Sequence, residues 1–134
     1  KNVKILWRWL KDFVHRGLYG WSRSDAWDTH FYLSQVIVPM LEVIRDEGMS
    51  HPLFQASEGR GYLPIIKVLW GTENLSFEDC EELWKVKLTQ MIDGFKAART
   101  IIDSDMVTNK HEEEMAVFKK GMETLAQNFF HLWD

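Results

Sequence analysis

The sequence predicts an all-α protein, an antiparallel four-helix bundle with a long connection between its second and third helices. Apolar residues recur at alternating steps of three and four in four segments, which is the spacing of one helical face. Residues suited to helix starts precede these segments, and glycine and proline concentrate between the second and the third. The 134 residues suffice for one core, so we expect a single helical domain over residues 1–134.

The third predicted helix, 77–103, has the clearest pattern. Ser76 and Asp79 have the spacing of a capping box, in which each side chain bonds a backbone N–H of the first turn. One stripe carries the apolar side chains of Trp84, Leu88, Met91, Phe95, Ala98 and Ile102. A long helix with one apolar stripe needs packing partners, and we expect the other three segments to supply them.

The first predicted helix, 2–16, has four apolar residues on one face. They are Leu6, Trp9, Leu10 and Phe13. Trp7 lies off this face. Gly17 and Gly20 are expected to end the helix in a short turn.

The second predicted helix, 25–47, follows a cap at Ser22 or Ser24. Its apolar side forms two lines, which are Trp27, Phe31, Ser34, Val38 and Leu41, and Leu33, Ile37, Met40 and Ile44. Two lines make a wide buried face, which predicts a helix that lies between neighbours. Pro39 is expected to kink the helix, because proline lacks the N–H and crowds the preceding turn.

Residues 49–75 break the helical pattern with three glycines and two prolines. We expect a long loop with an exposed tip at 57–62 and a possible short helix over 63–70. The fourth predicted helix, 110–132, has a stripe of Met115, Phe118, Met122, Leu125, Phe129 and Leu132. This stripe matches that of the third helix, so we expect the two to pack antiparallel. Gly121 destabilises the fourth helix unless a neighbouring backbone comes close.

The composition restricts the functional classes. The formal net charge is -4 and the pI is about 5.7, which disfavour non-specific binding to nucleic acid or to an anionic membrane. No apolar run approaches the length of a membrane span, so we expect no membrane partner. A single cysteine, Cys80, excludes an intrachain disulfide and a cysteine-rich zinc site, and it fits a reducing compartment.

The spacings that support catalysis are not found. There is no Glu-x-x-His pair for a metal in a helical bundle, and the glycines around Arg60 lack the lysine of a phosphate-binding loop. We expect no catalytic residue, no metal site and no cofactor. Two alternatives stay open, a structural or assembly role and a metal-dependent enzyme that uses carboxylates from Asp25, Asp28, Asp93 or Glu123.

Rings and cations concentrate in the first quarter of the chain, in Trp7, Arg8, Lys11, Arg16, Tyr19, Trp21 and Arg23. This combination suits a protein interface or a nucleotide-like anion, although an ordinary amphipathic helix followed by a turn has the same composition. We predict a non-catalytic binding protein that occupies a partner protein or sequesters a small anionic ligand. Its predicted site consists of Arg8, Arg16, Trp21, Arg23, Arg60 and Tyr62.

Seven tryptophans are many for a chain of this length. One small core cannot bury all of the large aromatic residues, and we expect four of them to stay exposed, namely Trp7, Trp21, Phe130 and Trp133. Exposed apolar patches are typical of interfaces. We therefore expect a homo-oligomer.

Several ordered motifs extend over most of the chain outside residues 49–75. They are Arg16-Gly17, Gly20-Trp21-Ser22 with Asp25, Trp27 and Asp28, Ile37 with Pro39-Met40-Leu41, Met91-Ile92 with Gly94-Phe95, and Gly121-Met122 with Phe129, Leu132, Trp133 and Asp134. This pattern resembles a family of small bacteriophage proteins to which no activity is assigned. The resemblance implies a phage origin and an all-helical fold, and it transfers no catalytic residue. We accordingly expect a protein of the host-cell cytoplasm that binds a host factor or a nucleotide-like signal, for example in counter-defence.

Overall fold

The computed structural model describes residues 2–48, 50–59, 63, 74–104 and 109–132. Within these ranges the chain is all-α, as predicted, with helices α1 (Asn2–Tyr19), α2 (Arg23–Trp27), α3 (Thr29–Glu47), α4 (Phe77–Asp103) and α5 (Asn109–Asn128). Two short 3-10 segments cover Ala56–Gly59 and Phe129–His131. No helix in the described ranges is long and apolar enough to cross a membrane.

The contacts within the chain divide it into two compact units, residues 1–36 and 37–134. Helix α3 contributes its first part to the first unit and its second part to the second. The single domain and the four-helix bundle expected from the sequence therefore stay predictions.

Helix α1 opens the first unit and runs three residues further than predicted. Gly17 lies inside this helix, so the expectation that Gly17 helps to end it is wrong. Gly20 does end the helix, as predicted. Its φ of 78° is in the left-handed region that favours glycine, and its N–H donates to the Arg16 carbonyl at 2.9 Å.

The predicted helix 25–47 is divided in two at Asp28. Ser22 supplies the predicted cap of α2: its hydroxyl accepts from the Asp25 N–H, and the Asp25 carboxylate accepts from the Ser22 N–H. Asp28 has φ of -122° and ψ of 50°, which are not helical values, so a new helix starts at Thr29. The short α2 is therefore a capped turn between two longer helices.

Several residues that were expected to be buried are exposed. The predicted face of α1 has Leu10 at 43% and Leu6 at 65% exposure, and no residue of α1 is buried. Trp27 is 80% exposed, because the break at Asp28 removes it from the line that leads to the buried Leu41. In the second line Leu33 and Met40 are exposed as well, whereas Ile37 and Ile44 are partly buried and pack against the core. Pro39 lies inside α3, and the kink stays a prediction.

Helix α4 builds most of the core of the second unit, and its bounds agree with the predicted 77–103. The Ser76 hydroxyl accepts from the Asp79 N–H at 3.2 Å, as the predicted cap requires. The buried apolar residues of α4 in this core are Cys80, Leu83, Trp84, Leu88, Met91, Ile92 and Phe95. From α3 the core receives Leu41, and the residues before α4 add Phe54 and Leu75.

Helices α4 and α5 come close to each other at two glycines. A Cβ atom on Gly94 would lie 2.8 Å from the Gly121 Cα, and one on Gly121 would lie 2.7 Å from the Gly94 Cα. The Thr124 hydroxyl donates to Gln90 Oε1 at 2.7 Å. Residues earlier in α4 thus meet residues later in α5, so the two helices run antiparallel. Gly121 has the close neighbouring backbone that its helical position requires.

Only part of the predicted loop 49–75 is described. Gln55 and Asn74 form an isolated antiparallel bridge that joins the two ends of this loop. Leu63 is buried in the core of the second unit. The rest of the possible short helix over 63–70 lies outside the described residues.

Candidate functional site

The first unit contains a cleft of about 500 Å³ between α1 and α2. It is lined by Arg8, Lys11, Asp12, His15, Arg23, Ser24 and Trp27. Three of these residues are cations and one is a carboxylate, so the cleft is locally positive in a chain of net charge -4. The volume is within the usual range of small-molecule sites.

Helix α1 contributes to the cleft through one polar face. Arg8, Lys11, Asp12 and His15 follow one another at helical steps of one turn or less, which places them on the same side of the helix. The Lys11 ammonium lies 5.3 Å from the ring centroid of Trp7, within cation–π distance. This contact holds a cation and an indole ring together at the edge of the cleft.

The carboxylate of Asp25 fixes the turn between α1 and α2. It accepts hydrogen bonds from Arg16 Nε at 2.8 Å, from the Ser22 N–H at 2.7 Å and from the Ser22 hydroxyl at 2.9 Å. The side chain of Asp25 is only 10% exposed. The hydrogen bond from Arg16, assisted by those from Ser22, holds the pKa of Asp25 well below its usual range, although burial acts in the opposite direction. The carboxylate is therefore charged at neutral pH, and the turn keeps its ion pair.

A second set of contacts also holds the turn. Nδ1 of His15 lies 2.5 Å from the Trp21 carbonyl, and the two rings meet edge to face at 4.8 Å between centroids. The hydroxyl of Tyr32, at the start of α3, donates to the Gly20 carbonyl. Together with Asp25, these bonds give α2 a fixed position beside the polar face of α1.

Two cations of the cleft have no protein partner within the described ranges. The guanidinium groups of Arg8 and Arg23 form neither a hydrogen bond nor an ion pair there, and both residues are exposed. By contrast, the Asp12 carboxylate accepts a hydrogen bond from the Ser24 hydroxyl. The cleft thus presents two forked donors beside the exposed indole of Trp27.

The structure brings two of the six predicted site residues into this cleft, Arg8 and Arg23. Arg16 instead binds Asp25 through two nitrogens and does not belong to the cleft lining. Trp21 is 46% exposed and packs on His15, also outside the lining.

The other two predicted site residues, Arg60 and Tyr62, lie outside the described residues, and their part in a site stays a prediction. They belong to the predicted exposed tip 57–62. Within that tip, Ser57 and Glu58 are exposed as predicted, whereas Gly59 is buried.

The remaining lining residues were not in the predicted site, namely Lys11, Asp12, His15, Ser24 and Trp27. A sequence signal existed for Lys11 and His15, because both share the polar face of α1 with Arg8. Trp27 gave no such signal, because a continuous helix over 25–47 would bury it.

The second unit has a larger groove of about 710 Å³ between α4 and α5. Its described lining is Glu82, Lys85, Val86, Thr89, Gln90, Asp93, Ala116, Val117 and Lys120. Two carboxylates balance two ammonium groups, and this set contains no aromatic ring. Lys85 pairs with Glu81 at 3.2 Å and Lys120 with Glu123 at 3.8 Å, so both cations already have acidic neighbours. The groove is therefore less suited to an anion than the cleft of the first unit.

Two of the four carboxylates of the metal-dependent alternative have other partners. Asp25 is bound by Arg16 and Ser22, and Glu123 lies beside Lys120. In the part of the chain that the structure describes, no three His, Cys, Asp or Glu side chains come together as a potential metal site.

The chain thus belongs to a broad class, all-α proteins that present a cationic cleft with an exposed aromatic ring. No protein-family model matches its sequence, and no curated protein or solved structure matches it either. A functional proposal therefore depends on the chemistry of the cleft itself.

Proposed function

We propose that this chain is a non-catalytic binding protein whose cleft takes a small anionic ligand of the nucleotide type. One observation carries the proposal: within the described residues, Arg8 and Arg23 have no protein partner, and both lie beside the exposed ring of Trp27. A guanidinium group binds phosphate oxygens through two parallel N–H groups. An exposed indole stacks on a flat base, and such stacking tolerates any base.

The charge distribution supports the same ligand class. The chain is acidic overall, so the positive cleft is a local exception that attracts anions and leaves the rest of the surface repulsive to them. Lys11 adds a third cation at the edge, and Asp12, the one carboxylate among the described lining residues, accepts a hydrogen bond from Ser24. A ligand with both a phosphate group and an aromatic ring uses all of these features.

Binding without turnover is supported by the state of the cleft carboxylate. Asp12 accepts a hydrogen bond from Ser24, and a general base held in a structural hydrogen bond is poorly placed to remove a proton from a ligand. Nδ1 of His15 lies against the Trp21 carbonyl, which orients the ring and leaves Nε2 able to accept a proton. Recovery of unchanged nucleotide is therefore part of the test.

The biological setting that we propose is the cytoplasm of a bacterial host, with the chain encoded by a phage. The motif resemblance described above supports this setting. Sequestration of a nucleotide-like signal there is a form of counter-defence. Because arginine binds carboxylates as it binds phosphates, an acidic segment of a host protein is the second kind of partner that suits this cleft.

Self-association is a further part of the proposal. Trp7, Trp21 and Phe130 are exposed, with Phe130 at 88%, while Trp133 lies outside the described residues. Exposed rings of this size are typical of interfaces. The antiparallel four-helix bundle with a long connection is also retained as a proposal, supported by the antiparallel pair of α4 and α5.

Calorimetric titration of the purified chain tests the ligand class. The probes are nucleoside mono-, di- and triphosphates together with inorganic phosphate. We expect saturable binding of at least one nucleotide, with Arg8→Ala and Arg23→Ala each weakening it by about 1.5–3 kcal/mol through loss of a charged hydrogen bond. Trp27→Ala should weaken it by about 1–3 kcal/mol through loss of stacking.

Arg45→Ala is the matched control, because Arg45 is an arginine of the second unit that pairs with Asp46. It should leave the affinity unchanged. Equal losses in Arg45→Ala and Arg23→Ala would contradict a specific site. Chromatography of the recovered nucleotide completes the test, since hydrolysed or rearranged product would favour the enzyme alternative.

A further inference from the structure

A small cavity in the second unit is lined by two histidines from distant parts of the chain. His51 follows α3 and His131 belongs to the 3-10 segment after α5, and the rest of the described lining is Ser50 and Pro52. The cavity measures about 50 Å³, which has room for one ion with its water and is too small for an organic ligand. We infer that it is a site for a divalent transition-metal ion of the zinc type, held by the imidazoles of His51 and His131.

The hydrogen bond of His51 prepares its ring for a metal. Nδ1 lies 3.1 Å from the carbonyl oxygen of Pro52. Because a carbonyl oxygen only accepts, Nδ1 carries the proton, and the neutral ring has its lone pair on Nε2. Histidines that bind metals donate their other ring N–H to a backbone carbonyl in the same way. Nε2 is therefore the nitrogen that this ring offers to an ion.

The same Nε2 atom is buried, and within the described residues no protein group forms a hydrogen bond with it. Burying an acceptor without a partner costs free energy, so such an atom calls for a water or an ion. The ring packs on Phe77 with 4.3 Å between the two ring centroids, which restrains it from turning toward solvent. The fold thus keeps a nitrogen lone pair inside, at a residue that lines the cavity.

Both histidines lie next to residues that are fixed in the core. Phe54, three residues after His51, is buried, and its N–H donates to Cys80 Sγ at 3.3 Å. Leu132 directly follows His131 and packs against the same core. Metal ligands must be held on firm supports to keep their geometry, and here the core of the second unit supplies the support for both.

The ligand set determines the class of ion. Imidazole nitrogen suits Zn²⁺, Ni²⁺ and Cu²⁺, whereas Mg²⁺ and Ca²⁺ prefer oxygen ligands. Among the residues that the structure describes, no third His, Cys, Asp or Glu joins the pair in a metal-binding group, so water takes the remaining positions. The site should accordingly bind more weakly than a structural zinc site with four protein ligands.

A metal at this place would connect the segment after α3 to the 3-10 segment after α5. An ion that binds the folded chain and not the unfolded one stabilises the fold, so zinc should raise the stability of the second unit. The inference goes beyond the proposed function, because the site lies outside the cleft of the first unit and requires no nucleotide.

Calorimetric titration of the full chain, prepared without a histidine tag, tests the site with Zn²⁺ and with Mg²⁺ as separate probes. We expect saturable binding of zinc and none of magnesium. His131→Ala should weaken zinc binding by roughly tenfold or more through loss of a ligand. Since His131 is exposed, this variant should keep the helicity of the natural chain.

His30→Ala is the matched control, because His30 is an exposed histidine of the first unit and does not line the cavity. It should bind zinc as the natural chain does. An equal loss in His30→Ala and His131→Ala would overturn the site, since zinc would then bind surface histidines without selection.

His51→Phe tests the buried nitrogen, because it removes Nε2 and keeps a ring to pack on Phe77. Zinc should raise the Tm of the natural chain and leave that of His51→Phe and His131→Ala unchanged. In NMR spectra, zinc should shift the imidazole resonances of His51 and His131 and not those of His30. No saturable binding up to about 1 mM zinc would show that the cavity holds water only, and zinc binding that survives in both variants would place the ion elsewhere; either result overturns the inference.

Discussion

The two units of this chain hold their helices together by different means. In the second unit, α4 lines a core of apolar side chains and meets α5 at a pair of glycines. In the described part of the first unit, the only buried residues are two serines, Ser22 and Ser34. Its helices are joined instead by polar contacts that centre on Asp25.

This difference suggests that the two units contribute differently to the stability of the chain. Burial of apolar surface is the main favourable term in folding, so the second unit should carry most of the free energy of unfolding. Polar contacts fix the positions of the groups that they join but add little net free energy of folding. In the first unit they leave rings and cations exposed. We propose that the first unit supplies the binding surface and that the second unit supplies most of the stability.

The largest difference between the units should appear in the free energy of unfolding when one side chain in each is truncated, by Leu88→Ala in the second unit and Ile5→Ala in the first. Leu88 is fully buried in the core, so its truncation should lower the free energy of unfolding by about 2–5 kcal/mol. Ile5 is 68% exposed, and its truncation should change that free energy by no more than about 0.5 kcal/mol. Urea denaturation followed by circular dichroism measures both values, and equal losses would contradict the contrast.

As the pH falls, the first unit should lose structure before the second. The change in the free energy of unfolding should be smaller than that caused by Leu88→Ala. The pKa of Asp25 is lowered in the folded chain, so its contribution is complete above the unfolded value of about 4 and is lost as the pH falls below it. Asp25→Asn should remove this dependence and cost about 1 kcal/mol at neutral pH, as expected for a lost helix cap. The indole resonance of Trp21, observed by NMR between neutral and acid pH, reports the turn.

Asp28→Asn is the control for this effect. Asp28 is exposed, and in the described structure Arg16 donates to Asp25 and not to Asp28. An identical acid transition in the natural chain and in Asp25→Asn would show that another group controls the turn.

Local signals in the sequence predicted the second unit better than the first. Ser76 caps α4 as its spacing indicates, and Gly121 lies against Gly94 as a helical glycine should. The pattern around Ser22 also indicated a cap, but not that the capped helix ends after five residues at Asp28. The spacing of apolar residues stays helical on both sides of such a break. It therefore does not reveal a single residue with non-helical backbone angles.

The candidate site was only partly predictable, because pairing across a turn is not visible in spacing. Arg16 and Arg23 are equally cationic in the sequence, yet Arg16 meets Asp25 while Arg23 lines the cleft. Likewise, Trp27 becomes exposed only because the helix breaks after it. A side chain that binds a ligand and one that binds another part of the protein can be of the same type, so the sequence alone does not distinguish them. The folded structure shows which partner each one has.

The ordered motifs of the sequence include residues with structural roles. Gly20 ends α1, Ser22 and Asp25 form the cap of α2, and Gly94 contacts Gly121. In this chain these motif residues therefore form caps, a helix end and a close helix contact.

NMR titration of the labelled chain with a nucleoside diphosphate tests the central claim most directly, because it locates the ligand on one unit or the other. The account predicts shifts of the Trp27 indole and of the Arg8 and Arg23 side-chain resonances, with resonances of the α4–α5 groove unchanged. Shifts confined to Val86 and Val117 of that groove, or no shift at millimolar nucleotide, where even weak specific ligands bind, would contradict it.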